Sequence, residues 1–265
     1  MGKALLMCPP TFYGVEYEIN PWMHVDNPVD IELARDQWYR LYDLYVEELG
    51  WSVSLIDAVP GLPDMVFTAN GGLVVDGKTI LPQFRQPERQ GETEHFERWF
   101  CLNGYQNPVR MAHDFEGEGD ALLWRDVLFA AYPWRSDQAA HRELESILDV
   151  EIVGLQLVDA RFYHLDTAFA VIDERTVAIY PAAFSAQSLR RIRSFVPNVI
   201  EATDEDALAY GLNSLSDGEN VVISDMAYGL IETYRAQGRK VWPTPIGEFQ
   251  KSGGGVKCMT LELRS

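Results

Sequence analysis

Residues 166–179 read Asp166-Thr167-Ala168-Phe169-Ala170-Val171-Ile172-Asp173-Glu174-Arg175-Thr176-Val177-Ala178-Ile179. Two apolar runs flank a short charged turn, the pattern of a β-hairpin. A helix-compatible stretch follows at roughly 185–194, then a short strand from Val199 to Ala202. The succession recurs. Hairpins are expected at 72–81, 121–130 and 214–223, the first and last of these turning through Asp76-Gly77 and Asp217-Gly218. Helical stretches follow at roughly 92–103, 136–148 and 226–237, and strands at Val109 to His113, Glu151 to Leu157 and Lys240 to Pro243.

The residues leading into the hairpins are Asn70, Glu118, Asp166, Asn213 and Cys258, which sit 48, 48, 47 and 45 positions apart. A period of that length signals a repeat architecture. A long helix is expected at about 29–49, where Ile31, Ala34, Trp38, Leu41, Tyr42, Tyr45 and Leu49 recur at helical spacing, with Gly50 as its stop. A strand at 51–57 comes next. Five units fit if this N-terminal strand and helix join the C-terminal hairpin. The expected fold is therefore α/β, a closed ring of five αβ blades built from ββαβ units, with the polar lead-in residues meeting around one axis. The plainer alternative is that residues beside turns are polar anyway.

The chain has 265 residues, enough to bury a full core. Forty acidic against 22 basic residues give a net charge of −18, which argues against binding nucleic acid or an anionic membrane surface. No apolar run approaches the roughly 20 residues of a membrane span. The start, Met1-Gly2-Lys3-Ala4-Leu5-Leu6-Met7, is too short in its apolar part for a secretory signal, and Met7 stands where myristoylation wants Ser or Thr. Cys8, Cys101 and Cys258 are odd in number and far apart, with neither a disulfide framework nor metal spacing. A cytoplasmic location is the expectation, and self-association is left open.

Cys258 follows Ser252-Gly253-Gly254-Gly255-Val256-Lys257, where glycines allow close backbone approach. It is a candidate nucleophile, the alternative being a buried structural thiol. Cys8 and Cys101 read as structural. His164 and Asp166 share one face if extended, as a proton-transfer group and an anionic anchor. Phe115-Glu116-Gly117-Glu118-Gly119-Asp120 packs three acids among two glycines, suited to a cationic ligand; a metal site lacks a His or Cys partner, and a solvated turn is the bland reading. Met65-Val66-Phe67-Thr68-Ala69-Asn70 ends an apolar strand on an amide. Arg85, Arg89 and Arg135 are candidates for holding a carboxylate, or surface arginines. Phe12 to Asn27, rich in aromatics and without periodicity, is a candidate lid.

Phe67-Thr68-Ala69-Asn70, the Glu116–Asp120 segment, His164-Leu165-Asp166 and Gly253-Gly254-Gly255-Val256-Lys257-Cys258-Met259, in that order, resemble the guanidino-modifying enzymes of the pentein superfamily. The resemblance implies a five-bladed αβ propeller and a single catalytic domain over 1–265. It implies Cys258 as the nucleophile on the guanidinium carbon, His164 as general acid and base, and Glu116 as the acid orienting the histidine. The motif carries one extra residue here, so Glu118 competes with Glu116, and Glu116 is favoured. Asp166 would anchor the guanidinium, and Arg135 and Arg89 would clamp the α-carboxylate. Asn70 stands where deiminases and dimethylaminohydrolases carry an acid. That, with Asn20 in Tyr17-Glu18-Ile19-Asn20-Pro21-Trp22-Met23 as a second substrate-binding amide, resembles the arginine dihydrolase branch, which makes ornithine, carbon dioxide and two ammonia. No cofactor is implied; the partner is a small molecule, L-arginine or a methylated arginine. Dimethylarginine dimethylaminohydrolase or arginine deiminase is the alternative, an amidinotransferase fits a chain this short less well, and from other classes stand a non-catalytic arginine sensor or a translation factor of the same shape.

Overall fold

Each repeat read from the sequence becomes a three-stranded sheet with one crossing helix in the computed structural model, which describes residues 2–264. The first unit has strands Leu73–Val75, Lys78–Leu81 and Val109–Arg110 around helix Glu92–Leu102. The second has Ala121–Trp124, Val127–Tyr132 and Glu151–Gln156 around Gln138–Ile147. The third has Phe169–Asp173, Thr176–Ile179 and Asn198–Glu201 around Ala186–Phe195, and the fourth Leu215–Ser216, Asn220–Ser224 and Lys240–Thr244 around Tyr228–Ala236. In each, the hairpin strands pair antiparallel and the third strand lies parallel to the second. Parallel neighbours need a crossover, which the helix supplies.

The fifth unit joins the two ends of the chain. Ala4–Met7 pairs antiparallel with Leu261–Glu262 and parallel with Ser52–Leu55, with helix Ile31–Asp43 between. Asp30 caps that helix by accepting the Glu32 and Leu33 amides.

Hydrogen bonds link the five lead-in turns in sequence around a ring. Glu118 N–H bonds Gly72 O (3.0 Å), Leu165 N–H bonds Asp120 Oδ1 (3.3 Å) and Asn213 Nδ2 bonds Asp166 O (3.0 Å). Lys257 N–H then bonds Asn213 O (3.2 Å), and Ala69 N–H bonds Cys258 O (3.0 Å), closing the circle. The polar lead-in residues therefore face one axis rather than solvent.

Three elements depart from expectation. The strand expected through Met65 to Asn70 is instead two 3-10 turns, Pro63–Val66 and Thr68–Gly71, because the Phe67 and Asn70 amides bond back to Asp64 O and Phe67 O (2.9 and 3.1 Å). The helix at 29–49 is α-helical only over Ile31–Asp43; Leu44–Glu48 widens into a π turn. That turn brings the buried Tyr45 ring onto Trp51 (5.2 Å, 25° between planes) before Gly50 (φ 64°) ends it. The strand at 109–113 stops at Arg110 because the Glu143 carboxylate takes the Ala112 and His113 amides (2.8 and 3.3 Å). The apolar faces of sheets and helices make the core: Phe129 packs on Phe169 (5.1 Å), and Ala140 and Leu144 of the second helix are fully buried. Each large side chain buried this way contributes about 1.5–3 kcal/mol. Among the described residues no helix is long and apolar enough to cross a membrane.

Candidate active site

The lead-in turns gather chemistry at one end of the axis. Cys258 is buried beside a narrow cleft that His164, Asp64, Asn70, Arg89, Arg135 and Asn20 also line. Its thiol lies 3.2 Å from Asp166 Oδ2 and accepts a hydrogen bond from Asn213 Nδ2 at 3.0 Å. Burial first, and then the Asp166 carboxyl, push the thiol well above its ordinary pKa. Without a cation in the cleft, the sulfur holds its proton.

His164 Nε2 meets Glu116 Oε2 at 2.7 Å, and Arg135 Nη1 reaches the same carboxylate at 3.1 Å. Burial pushes the Glu116 carboxyl up, but Arg135 and the His164 bond outweigh it and bring it down to about 2. Burial brings the imidazole down to about 4 against the pull of Glu116. An ionised carboxylate accepts only, so Nε2 carries the proton and Nδ1 is left as the lone pair. A neutral imidazole with a free nitrogen in the same cleft as a thiol can take and return a proton.

The three acids of residues 116–120 diverge. Glu116 turns to His164, Asp120 Oδ2 accepts from Ser136 Oγ (2.6 Å), and Glu118 turns away to Lys257 Nζ (2.7 Å) and Arg264. Of the two candidates, Glu116 is the one the structure places against His164, and the three side chains do not converge on a common ion. Gly117 makes the divergence feasible: its φ is 61°, and a Cβ there would stand 2.5 Å from Gly72 O.

The other sequence candidates take less open positions than expected. Arg89 makes a two-pronged contact with Glu92 (2.7 and 2.8 Å) and donates to Asn70 Oδ1 (2.8 Å) and Asp64 O (3.2 Å). Arg135 also donates to Ile19 O (2.9 Å) and lies over the Tyr163 ring. Both guanidiniums are thus partnered by the protein, with few N–H groups left for a ligand carboxylate. Arg85 is away from the cleft, paired with Asp114 and Asp137. Asn70 Nδ2 donates to Glu116 O (3.2 Å), and Asn20 Nδ2 to Ser252 O (3.0 Å). Asp166 lies behind the thiol, outside the residues that line the cleft. Residues 12–27 form no helix or strand; Tyr17, Ile19 and Asn20 tie them over the cleft through Asp64, Arg135 and Ser252.

Sequence reasoning missed Asp64. It is fully buried, accepts from Tyr17 OH (3.0 Å), and its Oδ1 has no partner. An acid alone in the apolar run Pro63-Asp64-Met65-Val66-Phe67 was the available signal. It also missed what Asn213 does, although the register of the repeat had marked that residue. Among the described residues, Asp64 Oδ1 and Asp166 Oδ1 are the two carboxylate oxygens that are buried with no hydrogen bond. Such atoms cost free energy unless a donor arrives.

A family model described as N,N dimethylarginine dimethylhydrolase, eukaryotic, matches residues 19–265. The N(G),N(G)-dimethylarginine dimethylaminohydrolase of Mycobacterium tuberculosis is 45% identical over 98% of this chain and 86% of its own length. The bifunctional arginine dihydrolase/ornithine cyclodeaminase ArgZ of Synechocystis is 39% identical over 98% of this chain, which spans 37% of that longer protein. The crystal structure of the cyanobacterial ArgZ N-terminal domain bound to substrate superposes with a TM-score of 0.94 at 38% identity, covering 99% of this chain and 98% of that one. A dimethylarginine dimethylaminohydrolase from Pseudomonas aeruginosa, complexed with citrulline, shares the fold at 20% identity and a TM-score of 0.86.

Proposed function

The chain belongs to the dimethylarginine dimethylaminohydrolase family of pentein guanidino-modifying hydrolases, and from that premise we propose that it converts L-arginine to ornithine, carbon dioxide and two ammonia through Cys258. The observation that carries a guanidinium substrate is Asp64 Oδ1, a buried carboxylate oxygen without a partner, in the cleft that the Cys258 thiol also lines. A guanidinium brings several N–H donors and a positive charge to that space.

In this reading the cation lowers the thiol pKa, and the Cys258 thiolate attacks the guanidinium carbon, forming an S–C bond. Nδ1 of His164 takes the thiol proton as the thiolate forms and then passes it to the leaving nitrogen, so that ammonia departs from the tetrahedral adduct and leaves a covalent thiouronium. Nδ1 then takes a proton from water, which adds to the carbon; breaking S–C regenerates the thiolate and leaves a ureido group. Glu116 keeps the Nε2 proton in place and stabilises the imidazolium between the steps. The N–H groups that Arg135 and Arg89 have to spare receive the α-carboxylate, and Asn20 adds an amide at that end.

Asn70 decides whether the ureido product leaves. Its Oδ1 is held by Arg89, and its Nδ2 gives one N–H to the Glu116 carbonyl. One N–H remains for a urea oxygen, which a carboxylate would repel. A retained ureido group is attacked a second time at carbon; the second ammonia and then carbon dioxide are released with two waters consumed overall. The likeness to the substrate-bound ArgZ domain supports this reading.

A second reading, hydrolysis of N,N-dimethylarginine to citrulline and dimethylamine, is favoured by the family description and the 45% identical relative. Incubation with L-arginine, quantifying ornithine, citrulline and ammonia, separates them. Ornithine with two ammonia per arginine is expected. Citrulline with one would end the account of Asn70, and turnover of dimethylarginine alone would establish the second reading.

A further inference from the structure

We propose that Asn213 is a catalytic residue that holds the Cys258 thiolate by donating a hydrogen bond from Nδ2 to Sγ. The inference rests on Cys258 being the nucleophile and extends to how that sulfur is made reactive.

The amide is used on both sides. Its Oδ1 accepts the Cys258 backbone N–H at 3.0 Å, and its Nδ2 donates to Cys258 Sγ and to Asp166 O, each at 3.0 Å. A backbone N–H can only donate, so it fixes Oδ1 on its side and forces both Nδ2 hydrogens toward the sulfur and the carbonyl. Asn213 is wholly buried, so neither face of the amide is met by water. Gly255 permits the fit: a Cβ there would come within 2.9 Å of Asn213 Oδ1.

The two side chains against the sulfur work in opposite senses, and the Gly255 backbone acts in the same sense as Asn213. Asp166, 3.2 Å away, favours the thiol. Asn213 favours the thiolate, because an N–H bond to an anionic sulfur is stronger than one to a neutral thiol. As the S–C bond forms, the sulfur lone pair moves to carbon and the Asn213 bond weakens. As that bond breaks, the pair returns to sulfur and the N–H receives it. Asn213 therefore acts on both the attack and the release steps, and it aims the sulfur by tying the Cys258 backbone to the Asp166 turn.

The test is iodoacetamide labelling of Cys258 at pH 8.5, followed by peptide mass spectrometry in a Cys101→Ser background, since Cys101 is exposed. Thiolate fraction falls about tenfold per pKa unit, so Asn213→Ala is expected to label about tenfold more slowly. With substrate, kcat is expected to fall about 10–100-fold with KM little changed. Asn213→Asp, which sets carboxylate lone pairs against the sulfur, is expected to be slower still. A purely structural role would lower the melting temperature and leave labelling unchanged or faster; a folded Asn213→Ala that labels and turns over like the parent overturns the proposal. If Asn213→Ala does not fold, Asn213→Ser keeps a shorter donor and is expected to fall between parent and Asn213→Asp; parent-like labelling there overturns it equally. Turnover persisting in Cys258→Ser would instead end the nucleophile reading, an outcome distinct from any labelling result.

Discussion

Glu116 and Glu118 stand two residues apart and are both wholly buried, yet the fold treats them in opposite ways. Glu118 lies among Lys257, Arg264 and the Glu262 backbone amide (2.9 Å), so its charge is answered by the protein. Glu116 also has a cation, Arg135, but spends its shortest bond on an imidazole that is neutral at rest. Near it lies Asp64, with an oxygen that nothing meets. One side of the Glu116–Asp120 turn is satisfied and holds units together. The other is left short of donors and positive charge, which a guanidinium brings. A fully paired buried charge reads as architecture, and an unpaired one as a place for a ligand.

Four outcomes would break or sharpen that contrast. The largest belongs to the cleft side. Cys258→Ser should lower ammonia release by at least about 10³-fold with the melting temperature little changed; residual turnover near the parent's would remove the nucleophile from the account. Next, the two glutamates should part. Glu116→Gln should cost about 10²–10³-fold in kcat, with most of the stability kept. Glu118→Gln should cost stability, about 3–5 kcal/mol as Lys257 and Arg264 lose their shared charge, with kcat of the folded fraction retained. Denaturant melts and steady-state assays on both variants decide, and a reversal would exchange the two roles.

Asn70→Asp is the third. It should divert most product from ornithine to citrulline with one ammonia released per arginine, read by amino-acid analysis; ornithine still dominating would show that the amide does not retain the ureido group. The smallest effect is on stability against pH. His164 is held at about 4, below the roughly 6.5 of a free imidazole. At this site the native state then binds fewer protons than the unfolded chain between those values, so its contribution to stability is full above 6.5 and falls as pH drops toward 4, while Glu92 and Asp166, raised to about 7, act in the opposite sense over the same range. Glu116, at about 2 against an ordinary 4.5, adds a second loss as pH falls from 4.5 toward 2. Melting curves of His164→Gln should lose the imidazole's share of the upper window and narrow the lower one, because His164 helps to hold the Glu116 carboxyl down. An unchanged upper slope would mean that the imidazole is charged in the fold.

Most of the architecture was legible in the chain. The 72–81 hairpin appeared as Leu73–Val75 and Lys78–Leu81, and the 136–148 helix as Gln138–Ile147. The fifth unit, made from both ends, followed from counting the period. Errors fell where a distant side chain interrupted a local preference, as Glu143 did at Ala112 and His113. The site was legible in its residue types and less so in their partners. Arg89 was read as open to a ligand carboxylate, but Glu92 and Asn70 hold it. Asp64 was passed over, because one acid in an apolar run looks alike whether it is paired or not.

By itself the sequence determined the period, the hairpins and helices, and the acidic, histidine and cysteine residues leading into them. These depend on neighbours along the chain, through side-chain alternation and turn chemistry. Only the tertiary structure decided which carboxylate meets His164, which amide meets Cys258, and which oxygens stay without a partner. Those contacts span 48, 45 and 92 positions for His164–Glu116, Asn213–Cys258 and Cys258–Asp166. No local preference carries them, because they exist only once the ring has closed and water has been excluded from its axis.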